Sequence, residues 1–200
     1  QGLIYAGANY GALRLSLGAG YAHVSARTDR SAAFAGFTDR LGASYGGAIL
    51  QGFGEIGYRI GLGGGTVEPF ARVAVVNLRT DAFAESGGAA ALRGDATNET
   101  RTTTTLGLHL ATPVAGKLSV DARIGWQHAF GAPVSVDTLR LAGGSGFGIA
   151  GVPYPREAGV MEGGFTFQAS PGLAFWARYS GMIGDQGHNH AVKGGVSLRF

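Results

Sequence analysis

The chain has no cysteine, which excludes disulfide frameworks, thiol catalysis and cysteine-built zinc sites. Charge is also sparse. Asp, Glu, Lys and Arg make up 14% of 200 residues, against roughly 25% in ordinary soluble domains. The net charge of +3 comes from scattered Lys and Arg, too small and too dispersed to argue for a nucleic-acid partner. No run of about 18 apolar residues occurs, so no transmembrane helix is predicted. Nothing at the N-terminus has the pattern of a secretory signal; if the chain is exported, the start of its precursor lies outside it. Only 6 prolines are present, whereas glycine stands at 37, far above the usual roughly 7% and without a collagen period. Within strands such density points to close backbone approach, sheet bending or packing around large side chains.

The hydrophobic pattern has period two over most of the length, as expected of strands with one apolar face. The clearest segment is Leu118 to Phe130, where Leu118, Val120, Ala122, Ile124, Trp126 and Phe130 oppose Ser119, Asp121, Arg123, Gly125 and Gln127. Similar segments are predicted from Gly2 to Tyr10, Leu13 to about Arg27, about Leu41 to Ile60, Val67 to about Phe83, Thr102 to Val114, Val160 to Ala169, Leu173 to Ile183, and at the C-terminus. That makes about nine strands in a single domain, residues 1–200. Between them short turns (Gly11-Ala12, Gly61 to Gly65, Ala115-Gly116, Ser170 to Gly172) alternate with long connections (Thr28 to Arg40, Glu85 to Glu99, Gly131 to Arg156, Gly184 to His190).

Short turns on one side and long loops on the other are the arrangement of an antiparallel transmembrane β-barrel. The face opposite the apolar one carries Glu55, Arg59, Arg72, Asp121, Arg123, Glu162 and Arg178 at strand centres; in a barrel these line the lumen wall. Glu55 with Arg59, and Asp121 with Arg123, are expected to pair along that wall. Tyr21, Tyr58, Trp126, Phe130 and Phe175 lie on the apolar parity towards strand ends, where an aromatic girdle would meet the membrane interfaces. A soluble β-sandwich is the competing reading, with the charged face in water and the apolar face as core. Against it, the predicted strands far exceed the roughly 5 to 6 residues of globular sheets. A closed antiparallel bacterial barrel has an even strand count, so either an odd number of strands is expected to lie upstream or the chain is a truncated piece of the domain.

The terminal stretch Lys193-Gly-Gly-Val-Ser-Leu-Arg-Phe200 resembles the C-terminal signal of bacterial outer-membrane barrels, with Lys193, Gly195, Leu198 and Phe200 at its marked positions. Further stretches resemble the autotransporter β-domain: Gln51 to Arg59, Glu68 to Ala71, Glu85 to Leu92, Thr105 to Leu108, Gly125 to Gly131 and Ala150 to Pro153. The resemblance implies an all-β barrel of twelve strands, of which the first strands, the lumen helix and the passenger are absent from this chain. It implies a bacterial outer-membrane location with a periplasmic C-terminus. The implied partners are outer-membrane lipid, the barrel-assembly machinery, and the chain's own passenger and linker helix. The implied role is to anchor and export that passenger without enzymatic activity, cofactor, ATP or metal. The alternative is a free-standing outer-membrane barrel, porin-like or adhesive.

Four apparent signals carry little weight. Gly52-Phe-Gly-Glu-Ile-Gly57 matches a dinucleotide fingerprint and Gly42-Ala-Ser-Tyr-Gly46 a nucleophile elbow, but each needs a strand-to-helix turn, and both fall inside a predicted strand. His188-Asn-His190 is expected to sit on a polar loop, with too few partners for a zinc site. His109, on the lumen parity, has no Ser and acid assignable to it by spacing.

Overall fold

The structure, a computed structural model, describes residues 1–141 and 143–199. Nine antiparallel strands form the main sheet: β1 (Gly2–Tyr10), β2 (Leu13–Phe34), β3 (Phe37–Tyr58), β5 (Gly65–Thr80), β8 (Thr97–Ala115), β9 (Leu118–Phe130), β12 (Glu157–Ser170), β13 (Leu173–Gly184) and β14 (Gly187–Leu198). They are hydrogen-bonded in that order, and the short β4 (Ile60–Leu62) pairs with β5. A second sheet joins β6 (Phe83–Ala84), β7 (Leu92–Gly94), β10 (Val136–Leu141) and β11 (Gly146–Ala150) in the order β11-β10-β7-β6. No helix occurs among the described residues.

The register shows how steeply the strands tilt. One row of partners runs from Arg14 through Gly57, Phe70, Gly107, Gly125, Val160 and Met182 to Asn189. Arg14 stands beside the tight turn that opens β2, whereas Asn189 stands beside the hairpin at the opposite end of the sheet. A row perpendicular to the strands therefore climbs from one end of the sheet to the other, as strand tilt in a barrel wall requires.

The burial pattern is inside-out relative to a water-soluble domain. Glu55, Glu68, Ser16 and Thr105 are among the most buried side chains, while Leu17, Leu50, Ile56, Leu106, Ile124 and Phe165 are exposed. An apolar face of this extent cannot remain in water. It is the lipid-facing band of a barrel wall, and the polar parity forms the concave face.

Glycine shapes the concave face by leaving room for rings on the neighbouring strand. Phe53 lies against Gly18, its register partner on β2; Phe70 against Gly107 on β8; Trp176 against Gly195 on β14. A Cβ at Gly195 would come within 2.6 Å of the Trp176 ring. Each ring covers a stretch of backbone that glycine leaves bare, a device that pins register in curved sheets.

Three expected connections turn out shorter than predicted. Thr28 to Arg40 is not a loop: β2 and β3 continue through it to a turn at Ala35-Gly36, where Gly36 has φ of 80°. Gly184 to His190 reduces to a turn at Asp185-Gln186. Gly61 to Gly65 is mostly strand around Gly63, with φ of 58°. In the first two cases the chain has passed beyond the apolar band, so the alternation of apolar and polar residues stops while backbone pairing continues. Only Asp81 to Ala96 and Gly131 to Arg156 remain long, and they contain the second sheet.

Candidate functional site: the charged concave wall

Glu55 on β3 is the hub of the concave face, with a side chain only 2% exposed. Arg14 on β2 donates to it; Arg72, its register partner on β5, donates at 2.7 Å; Arg123 on β9 donates at 3.0 and 2.8 Å. β5 and β8 separate β3 from β9, so on a flat sheet the two backbones would stand about 14 Å apart at the usual interstrand spacing. The Glu55–Arg123 contact therefore records how strongly the sheet curves. Glu68 on β5 receives Arg14 at 2.7 Å and lies 3.6 Å from Arg59. The Arg123 guanidinium sits 4.6 Å from the Phe70 ring centre and that of Arg72 sits 5.4 Å from Phe53, so the rings over glycine also support the cations.

These contacts correct the pairing expected from sequence. Glu55 does not pair with Arg59, nor Asp121 with Arg123; Asp121 instead meets Arg178 at 3.2 Å. Residues two or four apart on one strand face lie about 7 or 13 Å apart along it, whereas cross-strand neighbours are about 5 Å apart. The charges therefore pair across the sheet. Glu162 stands in register between Arg123 and Ser180 and borders a hollow of about 280 Å³ together with Phe70, Arg72, Thr105, Arg123 and Gln127.

The contacts at the long-connection end of the wall were not visible in the sequence pattern. The connection after β9 folds back so that the Tyr154 hydroxyl donates to Gln127 at 3.0 Å, while the Arg101 guanidinium lies 4.2 Å from the Tyr154 ring centre. A space of about 840 Å³ lies beneath this connection, bordered by Glu99, Arg101, Val134 and Tyr154. At the same end Arg30 donates to Glu85 at 3.2 and 2.6 Å, and the Leu92 amide adds a bond of 2.9 Å. The Arg30 hydrogen bond is the main cause that holds the Glu85 carboxyl below its ordinary value of 4.5, against the opposing effect of burial. A pair of long charged chains with no period of its own gives no signal in sequence.

The aromatic residues singled out from sequence, Tyr21, Tyr58, Trp126, Phe130 and Phe175, are all exposed on the convex face. Tyr58 and Phe175 lie towards the tight-turn end. Tyr21 and Trp126 lie equally far along their strands from the turns at Gly11 and Gly116, and Phe130 lies beyond them. Of the terminal residues, Lys193 is exposed on the concave parity, Gly195 lies beneath Trp176, and Leu198 is exposed opposite Leu173; Phe200 lies outside the described residues. The fingerprint-like and elbow-like stretches, residues 52–57 and 42–46, both lie within β3, so neither has the turn its chemistry needs. His109 stands opposite Glu68 and Arg123. His188 and His190 belong to β14 rather than to a loop.

Comparison with known proteins gives a consistent result. A family model described as the autotransporter beta-domain matches residues 1–180. Two curated relatives, each an extracellular serine protease from Serratia marcescens, are 29% identical over 201 residues, covering 98% of this chain. The chain spans only 19% of their length. The solved translocator domain of the autotransporter NalP from Neisseria meningitidis is 23% identical, with a TM-score of 0.75 over 99% of this chain and 66% of that one.

Proposed function

The chain belongs to the autotransporter beta-domain family, and from that membership we propose how this wall works in carrying a passenger across the outer membrane. As a member of that family it is an outer-membrane translocator barrel. The observation that carries the proposal is the inverted burial: an apolar convex face, and a concave face held by Glu55 and its three arginines. Lipid covers the first. The second keeps a hydrated, polar surface along which an extended chain can pass, or against which a linker helix can rest, without meeting apolar traps. The wall itself performs no bond-making chemistry; any activity of the whole protein belongs to its passenger.

In this reading the tight-turn end and the C-terminus face the periplasm, and the second sheet stands at the cell exterior. Tyr58 and Phe175 anchor one interface, with Tyr21, Trp126 and Phe130 at the other. Residues preceding this chain complete the wall between β1 and β14, supply the lumen helix and lead to the passenger. Lys193, Gly195, Leu198 and Phe200 present the terminal strand to the assembly machinery. A free-standing porin-like or adhesive barrel is less well supported, because the family match covers most of the chain.

The test uses the full-length protein in its outer membrane. Protease added to intact cells should release passenger fragments from wild type. Phe200→Ala should lower folded barrel and surface passenger together. Glu55→Lys should reduce surface passenger even in the fraction of barrel that still resists protease. Normal passenger display by both variants would overturn the roles assigned to the terminal strand and the wall.

A further inference from the structure

β14 runs from the Asp185-Gln186 turn with His188 and His190 on one face. Residues two apart on a strand point the same way, and here both imidazoles lie on the convex face close to the hairpin tip, both exposed. Their ring centres are 5.6 Å apart with planes inclined at 44°. A metal held by a ring nitrogen at about 2.0–2.1 Å lies about 3.2 Å from that ring's centre, so two rings at this spacing subtend roughly 120° at a shared ion, near the tetrahedral angle. The spacing of the two rings is thus compatible with a shared ion.

One of them is also oriented. The Tyr179 hydroxyl lies 2.7 Å from Nδ1 of His190, and the two rings stack at 6.0 Å. The contact depends on Gly181, the register partner of His190. A Cβ at 181 would come within 2.6 Å of the Tyr179 hydroxyl and 3.2 Å of His190 Nδ1. In the tautomer whose Nδ1–H donates to Tyr179, Nε2 carries the free lone pair. A hydrogen bond to the non-coordinating nitrogen is the usual way in which proteins fix a metal-binding imidazole.

We propose that His188 and His190 form a two-imidazole chelate for a late first-row divalent cation, with Tyr179 as the positioning residue and water completing the coordination. No group of three ligating side chains occurs among the described residues, so the site is an open one at the hairpin tip. Imidazole suits Cu²⁺, Ni²⁺ and Zn²⁺, and Cu²⁺ should bind most tightly. The assignment is independent of the concave wall and of passenger export.

The test is a Cu²⁺ titration of the full-length protein, purified in detergent and followed by electron paramagnetic resonance. Wild type should give a site whose hyperfine pattern shows two equivalent nitrogens. His188→Ala and His190→Ala should each weaken it tenfold or more and leave one nitrogen. Tyr179→Phe should keep both nitrogens yet bind about tenfold more weakly, the effect expected of a lost orienting partner. Barrel integrity is checked by retained heat-shifted mobility on gels. Unchanged copper binding in either His variant would overturn the proposal. So would an equal loss on His23→Ala, which would signify scattered single-imidazole binding.

Discussion

Glu55 illustrates how one residue can govern a wall. Its carboxylate receives three guanidinium groups from three strands, so removing its charge leaves Arg14, Arg72 and Arg123 facing one another. Breaking a buried ion pair from one side costs about 3–5 kcal/mol, and we expect Glu55→Gln to fall near the lower figure because the lumen admits water. Glu68→Gln should cost less, since Arg59 is half exposed and Arg14 keeps Glu55. Urea unfolding of detergent-refolded protein measures both; equal losses would deny Glu55 its central place. Glu85 gives a different expectation at the exterior end. Its folded carboxyl is held below 4.5, so the stabilisation it supplies is present above that value and is lost as pH falls through its lowered one. Proteolysis of the segment between β5 and β8 should therefore accelerate on acidification below pH 4.5, whereas Glu85→Gln should show fast cleavage at neutral pH with little further change. A wild-type rate that does not change with pH would remove the role given to Arg30 and Glu85.

Pairs of strands are matched through glycine and aromatic residues, and the consequences of filling the space differ from pair to pair. At Gly195 an added methyl meets only the Trp176 ring, a side chain rather than backbone. At Gly107 it would press on both the Ile124 carbonyl and the Phe70 ring, and the carbonyl cannot move without breaking the β8–β9 ladder. Overpacking typically costs 1–3 kcal/mol. Gly195→Ala is expected near about 1 kcal/mol and Gly107→Ala near about 3 kcal/mol or more, with Trp176→Leu relieving the first and Phe70→Leu failing to relieve the second. Unfolding midpoints of the four variants decide the matter, and an equal effect at both glycines would contradict it. At this scale the sequence was legible where lipid imposes alternation, as from Leu118 to Phe130. It was not legible from Thr28 to Arg40, where pairing continues in water without an apolar face. Nor did it reveal β10 and β11, which are short and lie outside that band.

For the whole molecule, the inverted polarity could be read directly from the sequence, because low charge, abundant glycine and long period-two segments all follow from facing lipid on one side. The partners of Glu55 could not, because they depend on curvature that brings β3 and β9 together, and no spacing along the chain encodes that. Curvature also determines what this segment should do when isolated. Among the described residues β1 has β2 on one side only and β14 has β13 on one side only, leaving two rows of backbone donors and acceptors open. Open edges of long strands recruit further strands, and in lipid or detergent an unpaired edge is costlier still. Residues 1–200 refolded in detergent should therefore associate through β1 and β14 into dimers or larger species. Extending the chain upstream by the strands that the proposed barrel needs should give a monomer with a sharper thermal transition. Light scattering on both preparations measures the difference. A monodisperse monomer from residues 1–200 would mean that the two edges meet within this chain, and would remove the need for upstream strands.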